Sequence, residues 1–323
     1  MLVENIAVMT SGTDAPGMNA AVRAVVRTAL ENKVKIWGVL DGYRGLVDNN
    51  IEELNSLSVS DTIQRGGTFL GTSFCKRFYT KEGRKQAYEN LVERKIDALI
   101  VIGGDGSLRG AKAFAEETGF SVIGIPATIE NDIWGTDYSI GCDTAANTIL
   151  EAINKLRDTA AAHHRIFILQ VMGSKCGWLA TYTAVAGGGN MVITPEKPYN
   201  PDEIIARAKY LHDEEGKRYL VILASEGVGD MQALVKEMQE KTGVATRFTD
   251  LGLVQRGGSP TANDRVAASI LGEQAALAAI SGLRGIVFGL ERGRVVCIDL
   301  NDAVMNKKTY PEELRHLAEI ISC

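Results

Sequence analysis

The acidic residues Asp105, Glu130 and Asp132 are the ones whose type and spacing could do chemistry in this chain. Asp105 lies inside the turn Gly103-Gly-Asp-Gly-Ser107, which closes the apolar run Ala98-Leu-Ile-Val-Ile102. Glu130 and Asp132 lie in the polar segment Ala127-Thr-Ile-Glu-Asn-Asp-Ile-Trp-Gly-Thr-Asp137, which closes a second run, Ser121-Val-Ile-Gly-Ile-Pro126. Glycines without Cβ atoms let backbone N–H groups approach a phosphate closely, and a following helix adds a favourable dipole. A carboxylate inside such a turn would repel phosphate. Asp105 makes sense if Mg²⁺ lies between them, because hard cations take carboxylate and phosphate oxygens together. Taken alone, GGDG is equally well a tight turn. The second acidic loop at the next strand end favours the chemical reading.

These residues need strands to hold them. Each apolar run reads as a buried parallel strand that stops at a polar loop, and in open α/β sheets ligands bind beyond the carboxyl ends of strands. Asn5 to Met9 reads as a first strand, Ser11 to Gly17 as a loop and Met18 to Leu30 as an amphipathic helix, the start of a doubly wound α/β domain. Strands are expected over 34–40, 165–173 with its loop, 191–194, 219–225 and 285–290. Helices are expected over 85–95, 143–162, 178–186, 201–214, 231–241, 260–283 and 309–321. In the 143–162 helix, Ala146, Ile149, Leu150, Ile153 and Leu156 recur at helical spacing. The 309–321 helix is expected only to pack. No Pro- or Ser-rich linker separates the halves, and no internal repeat stands out.

A length of 323 residues sets a prior of two domains. Apolar content of 45% and charged content of 23% are those of an ordinary globular protein. A formal net charge of −5 argues against a general nucleic-acid surface, though not against a local basic pocket for an anionic metabolite. Five cysteines without a CxxC pair point to a reduced compartment, and no signal peptide or transmembrane run is visible. The expected location is the cytoplasm, with no membrane partner.

GGDGS, TIENDIWGTD and the later Gln255-Arg-Gly-Gly-Ser-Pro260, together with Met9-Thr-Ser-Gly-Thr-Asp-Ala-Pro-Gly-Met-Asn19, occur in one order along almost the whole chain. In this the chain resembles the phosphofructokinase family, of the bacterial ATP-dependent type. The resemblance implies two doubly wound three-layer α/β domains with mainly parallel sheets and an active site in the cleft between them. A nucleotide domain would take 1–140 plus about 257–305, and an inserted sugar-phosphate domain about 141–256 plus the helix at 309–323. It implies transfer of the γ-phosphoryl of ATP to the C1 hydroxyl of fructose 6-phosphate, with Mg²⁺, in a homotetramer.

Family roles carry over residue by residue. Glu130 would be the base, Asp132 would support metal and loop, and Thr128 would contact the transferring phosphate. Gly12, Thr13, Tyr43, Phe74, Cys75, Gly104, Asp105, Gly106 and Ser107 would form the ATP site, with Asp105 on the metal. Thr128, Arg165, Met172, Gly173, Glu226, Arg247 and Arg256 would bind the sugar phosphate, Arg165 and Arg247 from a neighbouring subunit. Arg23, Arg27, Arg157, Lys217 and Arg218 would form an effector site. Gly106 and Ala127 leave room for adenosine, so ATP is expected over pyrophosphate.

The chain departs from the family pattern at several of these positions. Glu130 replaces an aspartate, Thr13 a glycine, Phe74 and Ser174 arginines, and Leu253 a histidine. Lys76 and Arg77, close to Phe74, are candidates to replace its arginine. In the effector set, Asn190 and Glu215 depart. The readings are therefore a re-tuned kinase, a kinase for another sugar phosphate, or a catalytically weakened paralogue or regulatory subunit. A different class is a nucleotide-binding module or NAD kinase-like protein, which leaves QRGGSP and Arg247 unexplained.

Overall fold

The computed structural model describes residues 3–321. Met1, Leu2, Ser322 and Cys323, which the expected domain boundaries include, lie outside the described residues. The chain divides into two compact units: the segment up to Thr144 with Arg256–Lys308, and Ala145–Gln255 with the segment from Thr309 onward.

The first unit is built on a seven-stranded sheet. Its strands are β1 (Asn5–Ser11), β2 (Lys35–Val39), β3 (Ile51–Leu54), β4 (Ala98–Gly103), β5 (Ser121–Pro126), β10 (Ile286–Glu291) and β11 (Arg294–Asp299), in the order β11-β10-β5-β4-β1-β2-β3. β4 is buried along its whole length and β5 at every residue but Ser121, as expected for strands covered by helices on both faces. The strand order reverses between β1 and β4, which makes their carboxyl ends a topological switch point. Helices α1 (Met18–Glu31), α2 (Tyr43–Asp48), α3 (Lys81–Glu93), α4 (Asp105–Thr118), α9 (Ala262–Ile280) and α10 (Leu300–Met305) cover the sheet. α1 and α9 pack tightly because small residues face each other. A Cβ at Gly272 would lie 2.7 Å from the Ala21 carbonyl oxygen, so only glycine permits that approach.

The edges differ from the sequence reading. β3 and β11 are antiparallel edge strands that pair with β2 and β10, and neither they nor the short α2 and α10 were anticipated. The helix expected from Lys85 begins four residues earlier, where the Thr80 hydroxyl accepts from the Gly83 N–H as an N-cap.

The second unit carries a four-stranded parallel sheet, β7-β8-β6-β9, made of β6 (Ile166–Val171), β7 (Met191–Ile193), β8 (Leu220–Ser225) and β9 (Thr246–Asp250). β9 was not anticipated. The long helix α5 (Cys142–His163) leads into this unit, which also holds α6 (Trp178–Gly187), α7 (Pro201–Asp213), α8 (Gln232–Thr242) and α11 (Glu312–Ile321). Ile166, Ile168, Leu220 and Ile222 of the sheet pack with Ile205, Leu211, Leu234 and Met238 of α7 and α8. The described cysteines, Cys75, Cys142, Cys176 and Cys297, form no disulfide. Among the described residues no helix is long and apolar enough to cross a membrane.

Candidate active site

In the first unit, β1, β4 and β5 lie side by side, with Ser11 opposite Gly103 and Gly103 opposite Pro126. Their carboxyl ends therefore bring together Gly12 and Thr13, the Gly103–Ser107 turn and the Ala127–Asp137 loop. Gly12 has φ +81°, and a Cβ there would lie 2.7 Å from Ser107 Oγ. Ser107 is buried, and its hydroxyl has no hydrogen-bond partner. Next to it a Cβ on Gly106 would meet nothing within 4 Å. Gly104 is the N-cap of α4, and Asp105 occupies the first helical turn, where the helix dipole favours a negative charge.

The acidic loop is pinned from several sides. The Ala127 N–H donates to the Gly103 carbonyl at 3.0 Å, which ties the loop to the turn. The Glu130 N–H donates to Thr128 Oγ1 at 3.2 Å. Asn131 is buried with φ +49°, and its side chain donates to the Asp137 carbonyl at 2.9 Å. Thr136 Oγ1 accepts from the Leu290 N–H at 2.9 Å, anchoring the loop to β10.

The far end of the loop rests on Asp264, a fully buried residue of α9. Its carboxylate accepts from the Tyr138 hydroxyl (2.5 Å), the Gly141 N–H (2.6 Å), the Thr144 N–H (2.8 Å) and the Thr144 hydroxyl. The sequence reading missed this residue. Its only local signal was Thr261-x-x-Asp264, a capping pattern in which Thr261 Oγ1 accepts from the Asp264 N–H at 3.3 Å.

Asp132 is largely buried, with one carboxylate oxygen unpartnered. Burial pushes its carboxyl above the ordinary carboxylate range, and the negative charge of Asp105 adds to this. Its own N–H, Lys308 and the Thr128 hydroxyl oppose the rise. Asp132 therefore binds its proton more tightly folded than unfolded. Its ionisation costs stability as pH rises from the ordinary carboxylate range through the raised value. Asp132→Asn is expected to melt at or above the wild-type temperature at pH 7, with the advantage shrinking as pH falls towards about 4. Thermal melts across that range check this. A variant less stable than wild type at pH 7 would mean that the charge is compensated.

Two carboxylates, one with a vacant oxygen, fit Mg²⁺ of the kind held by one or two acids and substrate phosphates. Among the described residues no group of three or more His, Cys, Asp or Glu side chains forms an all-protein metal cage. A protein cation already touches Asp105. Arg109 Nε donates to Asp105 Oδ2 at 2.8 Å across one turn of α4. The sequence reading did not single it out, although the four-residue spacing on one helix face was available as a signal.

Tyr43 is buried rather than open to a ligand. Its ring stacks on Phe78 with centroids 4.0 Å apart, and its hydroxyl donates to the Ser107 carbonyl at 2.6 Å. It braces the turn from below. Phe74 is 66% exposed and lines an open cavity of about 350 Å³ with Arg44, Cys75, Lys76 and Arg77. Arg77 is paired with Asp48, and Arg44 donates to the Phe74 carbonyl at 3.4 Å.

In the second unit, Met172, Gly173 and Glu226 stand at the carboxyl ends of β6 and β8, where the Gly227 N–H donates to the Gly173 carbonyl at 3.1 Å. The Met172 N–H donates to Gln255 Oε1 at 3.1 Å. Arg165 directly precedes β6 and Arg247 is the second residue of β9, so both belong to the opposite end of the same sheet. Six residues of strand span about 20 Å, so the sheet does not bring these arginines to Met172 and Gly173. Arg256 belongs to the first unit, with a buried Nε lacking a partner. Arg23 and Arg27 lie one turn apart on α1 in the first unit. Arg157, Lys217 and Arg218 lie in the second, where Arg157 caps α6 through the Gly187 and Gly188 carbonyls.

A doubly wound sheet with a glycine-rich turn and an acidic loop at its switch point defines an α/β protein of phosphate-binding type. The phosphofructokinase family model matches residues 5–279. The chain is 47% identical over 323 residues to an ATP-dependent 6-phosphofructokinase of Clostridium botulinum, covering 99% of this chain and all of that one. A Saccharomyces cerevisiae phosphofructokinase structure superimposes with TM-score 0.87 at 33% identity, covering 99% of this chain and 48% of the yeast chain. A Pichia pastoris phosphofructokinase in the T-state gives TM-score 0.88 at 36% identity, covering 94% of this chain and 35% of that chain. The chain thus spans about half or less of these fungal chains, and the full length of its clostridial relative. It belongs to the phosphofructokinase family.

Proposed function

We propose that this chain transfers the γ-phosphoryl of ATP to the C1 hydroxyl of fructose 6-phosphate, giving fructose 1,6-bisphosphate. The observation that carries this reading is the convergence, at one switch point, of Gly12, the GGDGS turn and two acids on neighbouring strand ends. The clostridial relative named as an ATP-dependent 6-phosphofructokinase supports the donor and the acceptor. The first unit would bind nucleotide through Gly12, Thr13, the Gly104–Ser107 turn and the Phe74–Cys75 segment. The second would bind sugar phosphate.

Phosphoryl transfer needs in-line positioning, charge neutralisation and a group to take the hydroxyl proton. Glu130 would take the proton of the C1 hydroxyl. Thr128 would hold the moving phosphoryl, and Asp105 and Asp132 would hold Mg²⁺. Mg²⁺, when bound, neutralises charge on the polyphosphate. Met172, Gly173 and Glu226 would seat the sugar, and Arg256 its phosphate. Arginine suits this because its planar fork gives two parallel hydrogen bonds.

Arg165 and Arg247 stand one sheet-length from Met172 and Gly173, which supports their working in a neighbouring subunit's site, in a homotetramer. Arg23, Arg27, Arg157, Lys217 and Arg218 would serve a phosphorylated effector. The proposed setting is cytoplasmic glycolysis.

Glu130 in place of aspartate and Phe74 in place of arginine also favour a second reading, a weakened paralogue or regulatory subunit. Thermal-shift titrations with MgATP, NAD and fructose 6-phosphate test the assignment. Stabilisation by MgATP and fructose 6-phosphate is expected. Stabilisation by NAD alone would overturn it in favour of an NAD kinase-like protein.

A further inference from the structure

We propose that Arg109 is the counter-ion of the nucleotide turn: it neutralises Asp105 when no metal is bound and turns to the polyphosphate when Mg²⁺ takes the carboxylate. This rests on the nucleotide reading above and adds a residue and a charge-balancing role to it.

The turn is built to receive a polar ligand. Ser107 is 3% exposed, and its hydroxyl, wedged where a Cβ on Gly12 or Gly103 would lie 2.7 or 2.6 Å away, has no partner. Asp132 offers a second unpartnered oxygen, and it senses the charge of Asp105. Asp105 contributes a negative charge that a triply or quadruply charged polyphosphate must meet. Arg109 is the cation bonded to that charge, at 2.8 Å.

The pair is not locked in place. The side chains of Arg109 and Asp105 are 54% and 40% exposed, and an exposed pair of this spacing is weak. Gly106, next to Asp105, adds no bulk there: a Cβ on it would meet nothing within 4 Å. Of the arginines beside Phe74, Arg77 is held by Asp48 and Arg44 donates to the Phe74 carbonyl. A guanidinium that leaves a carboxylate for a phosphate can offer it two parallel N–H donors from its planar fork. No bond to the transferring group is made or broken by Arg109, so it acts by charge and position.

The test is the ratio of dissociation constants for ATP in EDTA and for ATP with excess Mg²⁺, measured by titration calorimetry on the full chain. Dissociation constants do not depend on the fraction of protein that is active, so partial misfolding of a variant leaves the ratio intact. Arg109→Leu leaves Asp105 bare against metal-free ATP, whereas with Mg²⁺ the metal covers the acid and neutralises much of the polyphosphate. With Mg²⁺ only a weaker, solvent-screened contact of the exposed Arg109 is then lost, and the metal-free form loses more. The ratio is expected to rise about fivefold, as for the loss of one partly screened charge contact, and Arg109→Lys is expected to restore most of it. An unchanged or lower ratio in Arg109→Leu would overturn the inference while leaving the nucleotide reading standing. Failure of wild-type protein to bind either form would overturn both.

Discussion

Replacing Glu130 with alanine is expected to lower kcat by about 10²- to 10⁴-fold, the usual contribution of a positioned base, with the KM for each substrate little changed. Glu130 sits in a loop fixed by the Ala127, Asn131 and Thr136 hydrogen bonds. Its truncation therefore removes a carboxylate without releasing the backbone that carries it. Glu130→Asp separates the two readings of this site. If the loop is re-tuned around the longer side chain, shortening it by one methylene displaces the carboxylate by about 1 Å and costs up to about 10²-fold in rate. If the site is a weakened one, aspartate raises the rate. Steady-state kinetics on both variants, beside wild type, decide between them.

Asp264→Ala is expected to cost about 3–5 kcal/mol of stability, read as a lower denaturation midpoint with an unchanged m-value. Four donors converge on this buried carboxylate, and alanine leaves all of them unsatisfied at about 1 kcal/mol or more each. Burial pushes the carboxyl above its ordinary range, and these hydrogen bonds pull it back. Asp264→Asn keeps the shape but turns an amide N–H₂ towards two of the donors, so an intermediate loss is expected. A loss below about 1 kcal/mol for alanine would mean that the donors find other partners. The same substitution frees the carboxyl end of the acidic loop at Tyr138, Gly141 and Thr144. Activity should therefore fall further than the folded fraction does.

Much of the frame was legible because its strands are buried on both faces. Ala98–Ile102 and Ser121–Pro126 are continuous apolar runs that stop at glycine or polar loops, and nothing local competes with that reading. β3 and β11 were hidden for the opposite reason. Ile-Glu-Glu-Leu and Arg-Val-Val-Cys-Ile-Asp are short, charged, half-exposed edges whose pairing is decided by their neighbours. The short α2, with Gly45 inside it, has too few turns to show a period.

At the site, the acids announced themselves through their glycine-rich setting, but the groups that act on them did not. Arg109 looks like any surface arginine until its bond to Asp105 is seen. Asp264 looks like a solvated acid in an alanine-rich helix, although it is fully buried. That Arg165 and Arg247 belong to the far end of the sheet from Met172 depends on strand register, which no local pattern encodes.

The most direct measurement is ATP- and Mg²⁺-dependent formation of fructose 1,6-bisphosphate by the purified wild-type chain at saturating substrates. The account predicts turnover that needs Mg²⁺ and is lost in Glu130→Ala. No product from wild type, with ATP and fructose 6-phosphate both bound, would contradict it and leave the regulatory-subunit reading in its place.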